Sequence, residues 1–172
     1  MSTYAETRLI MCYGTNVKNP HGSLVEASNG KLYGMNNSGG SNDEGVIFSF
    51  DTTSNTQTNL MDFNGTNGKH PSGNLIQNSN GLLYGMVDSG GANNFGVLYS
   101  FDPLINSFSD LHDLDSANGD FPHGSVYIGN NGLLYGMTSW GGDDSAGIIF
   151  NYDIVTNTFI YVHNFYFIMI VA

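Results

Sequence analysis

The chain has 172 residues, 40% of them hydrophobic and 11% charged, which is enough apolar material for one sizeable core. Its formal net charge is −11, and the four basic residues, Arg8, Lys18, Lys31 and Lys69, all fall in the first part of the chain. A surface so poor in Lys and Arg excludes nucleic acid and anionic membranes as partners, and the single Cys12 leaves no intrachain disulfide to form.

Residues 1–13 hold no basic stretch followed by an apolar run, so the start of the chain does not read as a signal peptide. Within it, residues 4–14 read as one surplus strand, because Leu9 and Gly14 align with Leu60 and Gly65 further on. From residue 20 the chain repeats every 51 residues, in copies spanning about 20–70, 71–121 and 122–165. Leu32-Tyr33-Gly34-Met35 returns as Leu83-Tyr84-Gly85-Met86 and Leu134-Tyr135-Gly136-Met137. Gly39-Gly40, Gly45-Val46-Ile47-Phe48 and Pro20 recur at the same offset.

Turn chemistry divides each copy into four strands. In the second copy these are about 73–77, 82–87, 96–101 and 107–114, joined by an Asn80-Gly81 hairpin, a Gly90-Gly91 loop and an Asp102-Pro103 turn. The apolar tail 166–172 is far shorter than the roughly 20 residues of a spanning helix, so no membrane insertion is expected, and it reads as a truncated strand or the edge of a cut fragment.

The second and third strands carry apolar residues on both faces, Leu98 beside Tyr99 for example, so each sheet needs cover above and below. Stacking equivalent sheets around an axis supplies it. The expected fold is therefore all-β: three four-stranded antiparallel blades of a partial β-propeller, plus the surplus N-terminal strand. Gly34, Gly85 and Gly136 sit mid-strand, where an aromatic ring from the adjoining blade is expected to cover each. Three blades fall below the usual minimum of about four for closure, so self-association through exposed blade edges is a further expectation.

The loops expected on one face, 64–70, 88–94, 113–121 and 141–145, are rich in Asn, Asp and Gly, residues that turns select by themselves. Calcium is the one cofactor they suggest, and Asp113, Asp115, Asn118 and Asp120 form the best oxygen cluster, although their spacing departs from the EF-hand order. His21 and His123 share a repeat position, as do His112 and His163. Lying two blades apart or one to a blade, they read as loop or rim histidines rather than a zinc set. Trp140 stands where the other copies have Ser38 and Ser89. It reads equally as a stacking platform for a sugar or as packing against a neighbouring blade. Asn94, in the same kind of loop, joins Trp140, His21 and His123 as a candidate ligand contact, and Cys12 aligns with apolar Phe63 and Leu114 and reads as a buried thiol.

The leucine, Tyr-Gly, di-glycine, Gly-Val-Ile-Phe and Asp-turn series, running from about Leu9 to Phe165, resembles the GloVer-type tandem repeats of bacterial secreted and surface proteins. A weaker similarity links it to kelch blades, from which Gln57, Phe108 and Phe159 depart by standing where kelch repeats carry Trp. The resemblance implies an extracellular or cell-surface address. With no nucleophile elbow, phosphate loop or dinucleotide fingerprint in the chain, the expected role is non-enzymatic: a module that binds a protein or glycan. The alternative is a hydrolase or lyase that acts on polysaccharide with acidic loop residues.

Overall fold

The Asn-Gly, Gly-Gly and Asp turns cut the chain where their chemistry says they should, and the computed structural model, which describes residues 18–167, holds twelve strands and no helix among them. The expected surplus strand at 4–14, Cys12 and residues 168–172 lie outside the described residues. Blade 1 comprises β1 (Lys18–Glu26), β2 (Leu32–Ser38), β3 (Val46–Asp51) and β4 (Thr56–Asp62). Blade 2 comprises β5 (Ile76–Gln77), β6 (Leu83–Val87), β7 (Val97–Asp102) and β8 (Ser107–Asp113). Blade 3 comprises β9 (Tyr127–Ile128), β10 (Leu134–Met137), β11 (Ile148–Asp153) and β12 (Thr158–Asn164). Each blade is one antiparallel sheet with its strands side by side in chain order.

Identical local devices build the three copies. In the first hairpin Asn80 Oδ1 accepts from the Leu82 amide at 3.1 Å, while Asn80 Nδ2 donates 2.7 Å to the hydroxyl of Tyr84. Asn29 holds Tyr33 and Asn131 holds Tyr135 in the same way, at 2.8 and 2.9 Å. The Asn of each Asn-Gly pair thus closes the turn and also gives the tyrosine hydroxyl a partner, which a ring buried as Tyr84 is requires. Only the glycines, Gly30, Gly81 and Gly132, take positive φ there, at 77°, 85° and 81°. At the other hairpin, Asp51, Asp102 and Asp153 each accept a backbone amide two residues on, and Asn55, Asn106 and Asn157 supply the left-handed position.

The blades stack face to face. Blade 2 presents Leu83, Val87, Val97, Tyr99 and Phe101 to blade 1, where Tyr33, Met35, Ile47 and Phe63 meet them. Its other face presents Tyr84, Met86 and Leu98 to Val126, Leu134, Ile148, Phe150 and Tyr152 of blade 3. Neighbouring strand residues therefore enter different cores, as the period of two demands, and each core is shared by two blades. The described residues form three consecutive blades that do not close into a ring.

Two expectations need correction. The rings over the mid-strand glycines come from the same sheet: Gly34, Gly85 and Gly136 pair directly with Phe48, Tyr99 and Phe150 on the next strand. A Cβ on Gly34 would lie 2.7 Å from Phe48 Cζ, and one on Gly85 2.5 Å from the Tyr99 hydroxyl, so each ring folds down over its own cross-strand partner. The innermost strand is not uniform either. It is nine residues with an irregular register in blade 1, but two residues in blades 2 and 3, where Lys69↔Ser89 and Asp120↔Trp140 survive as isolated bridges. The inner strands of neighbouring blades also touch, in blade 1 as well, where the Ser23 amide donates to Asn74 Oδ1. The Asn74 amide leaves its own ladder to donate 2.8 Å to Ser125 Oγ of the next blade, and Gly73 lies so close against the Gly124 backbone that no side chain fits. His112 and His163 lie in β8 and β12, the fourth strands of blades 2 and 3.

Candidate functional site

Residues 51 apart come face to face where the inner strands begin, so the loops leading into them meet at the seams between blades. At the seam of blades 2 and 3, Ser72 Oγ donates to Asp88 Oδ1 at 2.5 Å and lies 3.2 Å from His123 Nδ1. His123 Nδ1 is also 3.5 Å from Asp88 Oδ2. Asp88, which follows the buried strand β6, is itself buried. That burial pushes its carboxyl above the usual range, against the Ser72 hydrogen bond and the charges of His123, His70 and His21, which hold it down.

Serine, histidine and aspartate together invite comparison with a hydrolytic relay, but the geometry differs. A relay needs the imidazole between the other two, one ring nitrogen to each. Here a single nitrogen, Nδ1, faces both Ser72 and Asp88, and the serine donates straight to the carboxylate. The arrangement is a polar clasp holding His123 at the rim, with the Phe121 ring 5.0 Å from the imidazole. Phe121 itself takes a positive φ of 57°, and its carbonyl accepts from the Ser139 amide at 3.0 Å.

Trp140 follows Ser139 and is held by its backbone within blade 3, exchanging bonds of 2.9 and 3.0 Å with Asp120 while its carbonyl accepts from Thr138 Oγ1. Its side chain is free of that ladder, and the residue is 53% exposed. Of the four residues expected to touch a ligand, His123 lies at the seam of blades 2 and 3, while Trp140 is tied by its backbone to Asp120 within blade 3. His21 is exposed at the equivalent place in blade 1. Asn94 occupies the left-handed position of its loop at φ 64°, as Asp43 and Ser145 do in theirs, which accounts for its presence by backbone conformation.

The four oxygen-bearing candidates for calcium also have local duties. Asp113 Oδ1 accepts from the Ala92 amide at 2.6 Å and ties the loop of its blade, as Asp62 ties Ser41 and Asn164 ties Asp143. Asp115 accepts the Ala117 and Asn118 amides and Asn118 accepts the Asp115 amide. One repeat earlier, Asn64 and Asn67 make the same turn without charge. Asp120 is the backbone partner of Trp140, its carboxyl pushed up by partial burial. Among the described residues no group of three or more His, Cys, Asp or Glu side chains is arranged to hold a metal ion.

The sequence reading passed over Asp88 and Ser72. A signal was present, since Asp88 stands where the other copies have Asn37 and Ser139, and Ser72 where they have His21 and His123.

Fold and seam together define a tandem-repeat protein of propeller blades with one polar, aromatic-flanked seam. The model of the Gloeobacter/Verrucomicrobia repeat matches residues 2–169, and the chain belongs to that repeat family. No curated protein matches it.

Proposed function

We propose that the chain is a non-enzymatic repeat module of an extracellular or surface protein, and that it binds a neutral glycan across the seam of blades 2 and 3. The carrying observation is Trp140, exposed at a position where the repeat otherwise places serine. Framework positions such as the Tyr-Gly pair are held constant by packing. Positions 72 and 123, at the seam of blades 2 and 3, differ between copies, as do 88 and 139 and 89 and 140. An exposed flat indole suits a sugar, whose ring stacks on the aromatic face while its hydroxyls bond nearby polar groups. The net charge of −11 disfavours sialylated or uronic-acid glycans.

The test is a screen of neutral oligosaccharides followed by calorimetric titration of each hit. Trp140→Ala is expected to weaken binding about tenfold or more, a change of roughly 1.4 kcal/mol; undiminished affinity would remove the platform from the account. One observation favours the second reading, a polysaccharide hydrolase or lyase: the Asp110 carboxyl, pushed up to about 6 by burial and by its neighbour Asp113. Saccharide turnover abolished by Asp110→Asn but unaffected by Trp140→Ala would establish that reading instead.

A further inference from the structure

Equivalent residues in the three blades differ sharply in exposure, and the differences fall at the two ends of the stack. The position that faces the preceding blade is Leu75 in blade 2 and Val126 in blade 3, each 2% exposed, but Leu24 in blade 1, at 52%. The position that faces the following blade is Met35 and Met86, at 2% and 1%, but Met137 in blade 3, at 55%. Blade 1 therefore ends in an apolar hollow of about 330 Å³ lined by Leu24, Gly34, Phe48 and Phe50. Blade 3 ends in a face carrying Tyr127, Tyr135, Met137 and Ile149.

These two faces are the halves of a junction the chain already makes twice. Met35 of blade 1 lies against Tyr99 of blade 2, and Met86 shares a core with Phe150 of blade 3. The next members of the two series are Met137 and Phe48, and among the described residues neither has the partner its equivalents have. Every residue needed to extend the stack by one more junction is present, at opposite ends of one molecule.

We propose that two copies of this chain join head to tail, the Met137 face of each seated in the Phe48 hollow of the other, to close a six-bladed ring. The inference goes beyond the glycan reading and does not depend on it. The occupant is a second copy because this repeat, in this register, supplies Met137 opposite an aromatic ring at the Phe48 position, the pairing of both junctions already present. Two copies of the three described blades give six, within the range of about four to eight that propellers hold, whereas three copies would give nine. Both junctions of such a ring are then alike, and each is heterologous, pairing different surfaces of the two chains.

The experiment is light scattering of the full chain over a range of concentrations, on wild type, Met137→Glu and Phe48→Lys. Wild type is expected at twice the chain mass of 18.6 kDa. Each variant alone is expected at 18.6 kDa, with an unchanged circular dichroism spectrum because Met137 is exposed and the partly buried Phe48 ring lines an open hollow. Mixing the two variants is expected to restore the doubled mass. The mixed ring has one unaltered junction and one that pairs Glu with Lys, whereas each variant alone spoils both junctions. A wild-type chain that stays monomeric up to high concentration, because its own terminal residues cover the hollow or for any other reason, overturns the proposal. So does a mass that climbs without limit, which is an open filament, or a dimer that both variants leave intact.

Discussion

The hydroxyl of Tyr99, in the third strand of blade 2, reaches Sδ of Met35 in blade 1 at 2.7 Å, inside the core the two blades share. Burial holds that phenol neutral by pushing its ionisation far upward, so the contact matters as packing and as a weak polar bond. The equivalent positions are already Phe48 and Phe150. Tyr99→Phe is expected to cost about 1 kcal/mol or less in denaturant unfolding. Tyr99→Ala, which empties the core, should cost about 3–5 kcal/mol.

Gly85 pairs across the sheet with that same tyrosine. An added methyl would meet the Tyr99 ring at 2.8 Å in a place where the ring is fully buried. Gly85→Ala is therefore expected to destabilise by about 1–3 kcal/mol. In a double-mutant cycle with Tyr99→Leu, part of that cost should return as a coupling of at least about 0.5 kcal/mol. Additive effects would mean that the ring is not what excludes a side chain there.

His112 of blade 2 stacks on Phe159 of blade 3, with ring centroids 4.0 Å apart and Nε2 buried without a partner. Burial lowers its pKa, against Asn118 and the charges of Asp115 and Asp113. The folded state thus binds the proton less well than the unfolded chain, whose histidine titrates near 6.5. Its stability contribution is complete above that pH and is lost as the pH falls through the lowered value. Asp110 runs the other way. Its pKa is raised from 3.8 to about 6, so its contribution is complete below 3.8 and is lost as the pH rises through about 6. Melting curves from pH 4 to 8 should show His112→Phe removing the acid-side loss, and Asp110→Asn removing a smaller loss that salt also screens.

Calcium is expected to leave the melting temperature unchanged, and so is a chelator. Asp115 and Asn118 close a turn that Asn64 and Asn67 close without charge, so Asp115→Asn should keep both fold and stability to within about 0.5 kcal/mol. A rise in melting temperature on adding calcium, abolished by that substitution, would show that the oxygens serve a metal as well.

The blades were legible because their causes are local. Asn80-Gly81, Gly90-Gly91 and Asp102 each fix a turn within a few residues, and β6, β7 and β8 fall within a residue or so of where those turns put them. What the period could not carry is contact between copies. The Ser72–His123 and Asn74–Ser125 pairs join residues 51 apart in the chain, and their closeness follows from the angle between blades. The same limit hid the shortened β5 and β9 and the burial of Asp88. The rings over Gly85 and Gly136 were expected from the right residue type but the wrong sheet, because the strand pattern says that a space exists without saying which ring leans into it. Trp140 was singled out by its departure from the repeat; its exposure came from the fold.

The central claim, that blade 2 is sheltered on both faces by its neighbours, is tested most directly by the unfolding free energies of Leu75→Ala and Met86→Ala. Leu75 points toward blade 1 and Met86 toward blade 3. Each truncation is expected to cost about 2–5 kcal/mol, the range for a large buried aliphatic side chain. A cost below about 0.5 kcal/mol at either position would mean that one face of the blade meets water, and the stacked arrangement would be contradicted.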